Sequence, residues 1–494
     1  MKSIVTIIFA VFFFQAIALS QDASTLQEAL EDGDFFYYAE DYTEAVFHYQ
    51  RLVGTELITS NIQFKIGVCY LNIPGEEYKG IPFLEEASKN TTEKYKKRSP
   101  KEENAPEYAF FYLGNAYRIN NELDKALDSY AKFLEIPDFE NKFNKTIVDN
   151  EILSCEKAKI IQDIPINVTI TNLDEPINSG VANYHPATSS DGNMLVFMSE
   201  LKFYNGIFIS QKENGVWSEP LNINPQVGSD GDALPCAVSN DKKEIYLVKG
   251  EDDNRDIYIS RFDGTFWTKM EPLNANINSL RAESYASLSA DGQTLYIASN
   301  RRGGIGDFDI YKSKREANGS WGPAENLGTV INTEYAEDYP NPSQDGKILY
   351  FSSQSHYNMG GFDVFYSSLN EDGVWNTPVN IGYPINTTGD DICYAPVGNG
   401  SIAYMPKILT EGKGKEDIYH IEIFPEENTE LMPVEGLIDT KGINLNFDSS
   451  FDIQIIDTFS KQVIGTIHFN KETGKLSYSV KTGNLEFEFK DKKQ

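Results

Sequence analysis

All four tryptophans of the chain fall on one rhythm, Trp217, Trp267, Trp321 and Trp375, at steps of 50, 54 and 54 residues. A turn phrase keeps the same beat: "SSDG" at 189–192, "SNDK" at 239–242, "SADG" at 289–292, "SQDG" at 343–346 and "VGNG" at 397–400. After each comes an aromatic run such as "TLYIAS" or "ILYFSS", then "GIFIS", "DIYIS", "DIYKS", "DVFYS" or "DIYHI". Each unit therefore reads as four short strands: one entering the turn, the aromatic strand, the Asp-Ile-Tyr strand opened by Asp256, Asp309, Asp363 or Asp417, and one around Trp-x-x-Pro. Four antiparallel strands recurring at this period are the signature of propeller blades. Five blades are expected over 165–425. The fifth lacks a Trp strand, while "INVTITNLDEPINS" precedes the first blade without a blade of its own. Residues 166–173 are therefore expected to complete blade five and close the ring, which hides edges that would otherwise template aggregation.

Two glycine-rich phrases, "RRGGIGDFDIYKS" and "YNMGGFDVFYSS", sit at one slot of this repeat. A phosphate loop would need a helix after it and a Lys-Ser/Thr tail, and neither is there. The phrases read as a turn whose glycines supply positive φ. Asp307, Asp309 and the acids at 251–253 are the candidates for a bound calcium ion, although no loop has EF-hand order.

Before the propeller, residues 22–162 are helical and repeat. Gly33 and Gly67 lie one 34-residue period apart, and a third copy carries Phe110, Leu113, Gly114, Tyr117, Ala126 and Tyr130 at tetratricopeptide offsets. The first copy fits with Phe36, Ala45 and Tyr49, and the second with Gly80 and Leu84 after a one-residue shift. Small residues at the eighth and twentieth positions let paired helices approach, so an all-α solenoid with a concave binding groove is expected, capped by the helical sequence after Phe143. An insertion, "KNTTEKYKKRSPKEENAP", carries Lys89, Lys94, Lys96, Lys97, Arg98 and Lys101. It reads either as a solvated loop or as a contact for an acidic partner.

The ends differ from both. Lys2, the apolar run Ile4–Phe14, and the small residues Ala18 and Ser20 read as a secretory signal over 1–20. No later segment is long and apolar enough to cross a bilayer as a helix, so a mature chain that is exported and soluble, or held at the envelope by other proteins, is expected. Residues 431–494 alternate with turns at Thr440-Lys441-Gly442 and Lys471–Gly474, which predicts a small, incompletely paired β-sandwich. Four cysteines in 494 residues do not make a disulfide scaffold, and they read as small buried hydrophobes. A formal charge of −31 argues against nucleic acid as a partner.

No catalytic constellation emerges. The five histidines (His48, His185, His356, His420, His468) form no His-Glu-x-x-His motif, and there is no Gly-x-Ser-x-Gly elbow. The pairs Glu337–Asp338 and Asp390–Asp391 stand out, but acids recur 16 residues after Trp at Glu283, Glu337 and Asp391 and so belong to the repeat. No cofactor and no enzymatic role are expected.

The stretch "DYPNPSQDGKILYFSSQSHYNMGGFDVFYSS…WNTPVNIGYPINTTGDD" resembles the WD40-like repeat of Tol-type propellers. The order of segments resembles OmpA-family envelope proteins of Gram-negative bacteria with type IX secretion. Those combine a signal, tetratricopeptide repeats, a WD40-like propeller and a carboxypeptidase-regulatory-like β domain, followed by an OmpA-like domain that this sequence lacks. The resemblance implies a periplasmic, outer-membrane-associated scaffold contacting envelope or secretion-machinery proteins, and it transfers no catalytic residue. The alternative from the residues is a glycan or peptidoglycan-fragment site at the propeller mouth.

Overall fold

The computed structural model describes residues 25–251 and 254–424, and the backbone of five further strands between Met432 and Asp491. The segment expected to be a signal, and the acids at 252–253, lie outside the described residues.

Eight helices come first: α1 (25–38), α2 (Tyr42–Tyr49), α3 (Ser60–Leu71), α4 (Ile81–Ala87), α5 (Ala109–Ile119), α6 (Leu123–Leu134), α7 (Phe139–Lys142) and α8 (Lys145–Gln162). Side-chain caps start several of them: Asp41, Thr59 and Asn144 accept from Glu44, Ile62 and Thr146 N–H. The helices pair because glycine removes the side chain at each crossing. A Cβ at Gly33 would stand 2.6 Å from the Tyr49 ring, one at Gly67 2.4 Å from Leu84, and one at Gly114 2.4 Å from Tyr130. Ala126, Tyr130 and Phe133 of α6 are buried against α5 and α8.

From Val168 onward the chain forms five antiparallel blades, the first of five strands and the others of four, their inner strands being Ala182–Thr188, Ala233–Val238, Glu283–Leu288, Glu337–Pro342 and Ala395–Val397. The strand Val168–Asn172 pairs with Asp417–Ile423 as the outer strand of blade five, so the first and last strands of the ring share one sheet. The Ser-x-Asp turns are alike in detail. Ser189, Ser239, Ser289 and Ser343 each donate to the aspartate two residues on, and each accepts an N–H from the strand beyond.

The structure corrects two details. The expected Trp strands are not continuous: Trp267, Trp321 and Trp375 make single bridges, and the outer strands are residue pairs downstream (Glu271–Pro272, Glu325–Asn326, Val379–Asn380). The tryptophans seal seams between blades instead. Trp321 of blade three is 3% exposed, and its ring lies 6.5 Å from Tyr246 of blade two and beneath Arg315, which pairs with Glu244 at 2.6 Å. Trp217 of blade one packs against Tyr404 of blade five in the same way.

Nor is positive φ the main reason for the glycine phrases. Only Gly303 has it, at 89°. Gly306, Gly360 and Gly361 are demanded by space: a Cβ would meet the Tyr335 carbonyl at 2.2 Å, the Gly389 carbonyl at 2.4 Å and the Asp390 carboxylate at 2.0 Å. The chain leading into the next blade runs directly over these turns.

Five further residues hold the blades together. Asn178, Asn224, Asn278, Asn332 and Asn386 each follow a fully buried isoleucine. Asn332 accepts from Ile310 N–H at 2.8 Å and donates back to the Ile310 carbonyl at 3.0 Å, and Asn386 does the same to Val364 at 2.8 and 2.9 Å. Asn178 and Asn278 treat Ile418 and Ile257 alike, while Asn224 divides its bonds between Ile207 and Asn205.

The 431–494 region contributes strands in a two-stranded and a three-stranded sheet.

Asn386→Ala strands both Val364 backbone groups away from water and should cost about 2–4 kcal/mol in urea unfolding. Trp321→Ala should lower stability by about 3–5 kcal/mol, and the same change at the more exposed Trp217 clearly less, in the same measurement.

Candidate functional site

The helical array sits against the end of the propeller where second strands finish and third strands begin. Asn150 donates to the Tyr335 hydroxyl, Ser154 to Asn358 at 3.0 Å and Lys157 to the His356 carbonyl at 3.2 Å. Met359, fully buried, belongs to the hydrophobic core of the helical array rather than to that of its own blade. At the centre of the seam Arg118 of α5, 6% exposed, pairs with Glu151 at 2.8 Å and donates to the Thr388 carbonyl, while Thr388 Oγ1 donates to the Ile119 carbonyl at 3.2 Å. A buried guanidinium tolerates this place because a carboxylate and a carbonyl both face it.

Beside Arg118 the two parts enclose a cavity of 440 Å³. Leu71, Pro74 and Glu77 line it from the array. Asp390, Ile392, Lys407 and Glu416 line it from blades four and five. Both cations are committed, since Lys407 pairs with Asp391 at 2.9 Å and donates to the Ile385 carbonyl at 2.6 Å. The carboxyls of Glu77, Asp390 and Glu416 also line the space, with Asp390 Oδ1 accepting from Phe362 N–H at 2.8 Å. Burial pushes Glu77 up, with Asp390 adding to it, and burial next to Asp417 brings Glu416 to about 7. Near neutral pH the Glu416 carboxyl can both donate and accept hydrogen bonds.

Behind the cavity the propeller channel is filled by the inner strands. His185, Tyr339 and Cys393 occupy the same position of blades one, four and five, each with φ between 51° and 57°. His185 Nδ1 stands 3.7 Å from Cys393 Sγ. Burial lowers His185 to about 4, helped by Arg255, and raises the Cys393 thiol well above its usual range. A neutral imidazole beside an undissociated thiol is packing, not an activated nucleophile. Asp338 is buried beside them and pushed up to about 6. Cys69, Cys155 and Cys236 are buried and free like Cys393.

The residues singled out from the sequence take specific places. Asp309 is buried and accepts from Ile305 N–H, from Gly306 N–H at 2.9 Å and from Asn326 at 2.9 Å; Asp363 accepts from Met359 N–H and Asn380. Asp417 accepts from Lys413 N–H and Asn172, and Asp256 is half-buried in blade two. Asp307 is exposed on the same loop as Asp309, and among the described residues no group of three potential ligands gathers to hold a metal ion. Glu283, Glu337 and Asp391 accept from Ser279, Thr333 and Thr387 N–H and tie the chain between blades to the sheet. The five asparagines were missed, although a signal existed: "PINS", "NINP", "NINS", "VINT" and "PINT" recur at the blade period. The cavity carried no such signal, because it is assembled from residues some 300 positions apart.

No family model matches the chain, and no curated protein matches it. Solved structures align with about half of it. TolB from Acinetobacter baumannii matches at 16% identity and TM-score 0.31, over 49% of this chain and 54% of that one, so the chain spans about half of that protein's length. A TolB from Agrobacterium tumefaciens matches at 19% identity and TM-score 0.30, over 49% and 74%. The alpha-L-arabinofuranosidase from Lactobacillus brevis matches at 14% identity and TM-score 0.37, over 51% and 93%. Further glycoside hydrolases are among the matches. The expectation that this chain is not an enzyme is corrected by that finding. It rested on the lack of a histidine motif and of an α/β hydrolase segment, whereas glycoside hydrolysis needs two suitably spaced carboxyl groups and neither of those.

Asp338 gives the site a pH signature. Its folded value of about 6 lies above its unfolded value near 4, so the folded state holds the extra proton between the two. Its contribution to stability is complete below about pH 4 and is lost as pH rises through about 6. Asp338→Asn should flatten the fall in melting temperature across that interval, in a series of thermal scans at fixed ionic strength.

Proposed function

We propose that this chain is an exported, envelope-associated interaction module, in which a tetratricopeptide-type solenoid and a five-bladed propeller are joined as one docking body. The observation that carries this reading is the seam itself. Arg118, Ser154 and Met359 make contacts across it that are internal and fully desolvated, so the two surfaces are presented in a fixed relation rather than on a flexible tether.

The array keeps open grooves for a partner. One, of 560 Å³, is lined by Phe110, Leu113 and Tyr117 of α5 with Lys125 and Lys132 of α6. Another, of 310 Å³, is lined by Phe111, Tyr112, Phe143 and Ile147. Apolar walls with a few placed charges suit a peptide or a helix of another protein. In this reading the strands after Met432 form a carboxypeptidase-regulatory-like β-sandwich, and the partners are envelope or secretion-machinery proteins, in the setting of type IX secretion or envelope assembly. Among the described residues no helix is long and apolar enough to cross a membrane, so association with the outer membrane runs through those partners.

A second reading rests on the cavity at the seam. Hydroxyl groups of a glycan fragment would find the carboxyls of Glu77, Asp390 and Glu416 there. Its described lining includes no aromatic ring for a sugar to stack on, which places this reading second.

Photo-crosslinking in the native host from positions 110 and 117 in the groove, and from exposed position 399 on the opposite end of the propeller, tests the proposal. Specific envelope proteins are expected from the groove positions. Recovery of saccharide alone, together with binding of peptidoglycan fragments that Glu416→Ala abolishes, would favour the second reading instead.

A further inference from the structure

The insertion between the second and third helical hairpins is not a loose loop. Its ends form a short parallel bridge, Thr91 with Ala105 and Thr92 with Pro106. Asn61 of α3 donates its backbone N–H to the Glu103 carbonyl at 3.0 Å and its side chain to the Glu102 carbonyl at 3.1 Å, and accepts from the Tyr95 hydroxyl at 2.8 Å. Glu102 turns inward to cap Lys96 and Asn104 N–H, at 3.1 and 3.2 Å. The tip closes with a turn from Ser99 N–H to the Lys96 carbonyl at 3.0 Å and is tied to α1 through the Tyr38 hydroxyl, which donates to the Lys97 carbonyl.

This scaffold holds Lys94, Lys96, Lys97, Arg98 and Lys101 outward. All five are exposed, and none forms an ion pair among the described residues. Arg98 alone has a partner, the face of the Tyr38 ring at 5.2 Å. Elsewhere Lys89, Lys125, Lys142, Lys145 and Lys159 of the array all meet carboxylates. Five unneutralised cations within eight residues, on an ordered loop of a chain with a formal charge of −31, are a local inversion of the protein's field. We infer that this loop is a docking site for an acidic polypeptide segment of a partner protein. It extends the interaction role proposed above to a second surface and names the chemistry of the partner.

A narrow segment fits better than a flat anionic surface such as a membrane. Exposed Glu93 and Glu103 flank the cations within the same insertion. A plane of charge pressing on the loop would press on them too, whereas one extended chain can follow the cations alone. Screening confines electrostatic effects to about 8 Å at physiological salt, so the chain's distant acids do not repel such a segment.

The test is binding of a fluorescent oligo-glutamate peptide to the full chain, followed by anisotropy at two salt concentrations. A variant with Lys94, Lys96, Lys97 and Lys101 changed to Gln and Arg98→Gln is compared with one in which exposed Lys202, Lys243, Lys269, Lys314 and Lys347 become Gln. The two lose equal charge, and circular dichroism confirms that both fold. Affinity is expected to fall about tenfold or more in the loop variant, little in the control, and for the native chain as salt rises. Equal losses in both variants, or undiminished binding by the loop variant, would overturn the inference. So would phosphatidylglycerol vesicles bound through these five residues while the peptide is not. If crosslinking from the grooves fails but the loop result holds, the groove reading falls and the loop docking site stands.

Discussion

In blades one to four the outermost pairing strand is only two residues long, so the third strand of each blade would leave backbone groups unpaired just where neighbouring blades exclude water. An asparagine amide supplies the missing partner: in blades two to four it gives and takes one hydrogen bond at a single residue, as a longer outer strand would, and in blade one Asn224 serves Ile207 and Asn205. An unpaired buried peptide group costs about as much as a lost hydrogen bond, so the close approach of the blades depends on these amides. With the amide in place, the chain can leave the sheet early, bury the preceding isoleucine, and cross to the next blade directly over the glycines of the turn.

That crossing explains why carboxylates and glycines crowd one end of the propeller. Asp309, Asp363 and Asp417 cap the turns, while Glu283, Glu337 and Asp391 hold the crossing chain. Each accepts from a backbone N–H, the cheapest way to keep a carboxylate inside protein, while Asp363 Oδ1 is left buried without a hydrogen-bond partner among the described residues. The same end carries the helical array, and the cavity lies where the two parts meet imperfectly. The proposed function therefore rests on the seam and the array's outer faces rather than on the channel, which Tyr285, Tyr339 and Cys393 fill.

Much of the propeller was legible because blade number follows from local periodicity. The turn phrase, the aromatic strand and the Asp-Ile-Tyr strand each write themselves into adjacent residues. The Trp positions were legible but their role was not: the pattern marks them as repeated, and only the packing of Trp321 against Tyr246 shows that they seal seams instead of building strands. Similarly, Gly360 and Gly361 signal a tight place, and φ was the natural reason to give. The actual reason is a carbonyl and a carboxylate from 29 residues downstream. The Ile-Asn pairs were overlooked because an asparagine beside a turn reads first as a turn residue.

What the sequence by itself determined is the alternation of segments: helical hairpins whose small residues recur at one period, then five blades whose turns recur at another. These depend on side chains acting on their own stretch of backbone, and periodicity records them. The docking of the array on the propeller was decided only in three dimensions, as were the enclosure of Glu77 with Asp390 and Glu416 and the transfer of Met359 into a core not its own. They depend on pairs of residues some 200–340 positions apart, whose meeting is settled by shape and by the need to satisfy Arg118 once it is buried. No short-range pattern carries that information, because burial and desolvation are properties of the assembled surface.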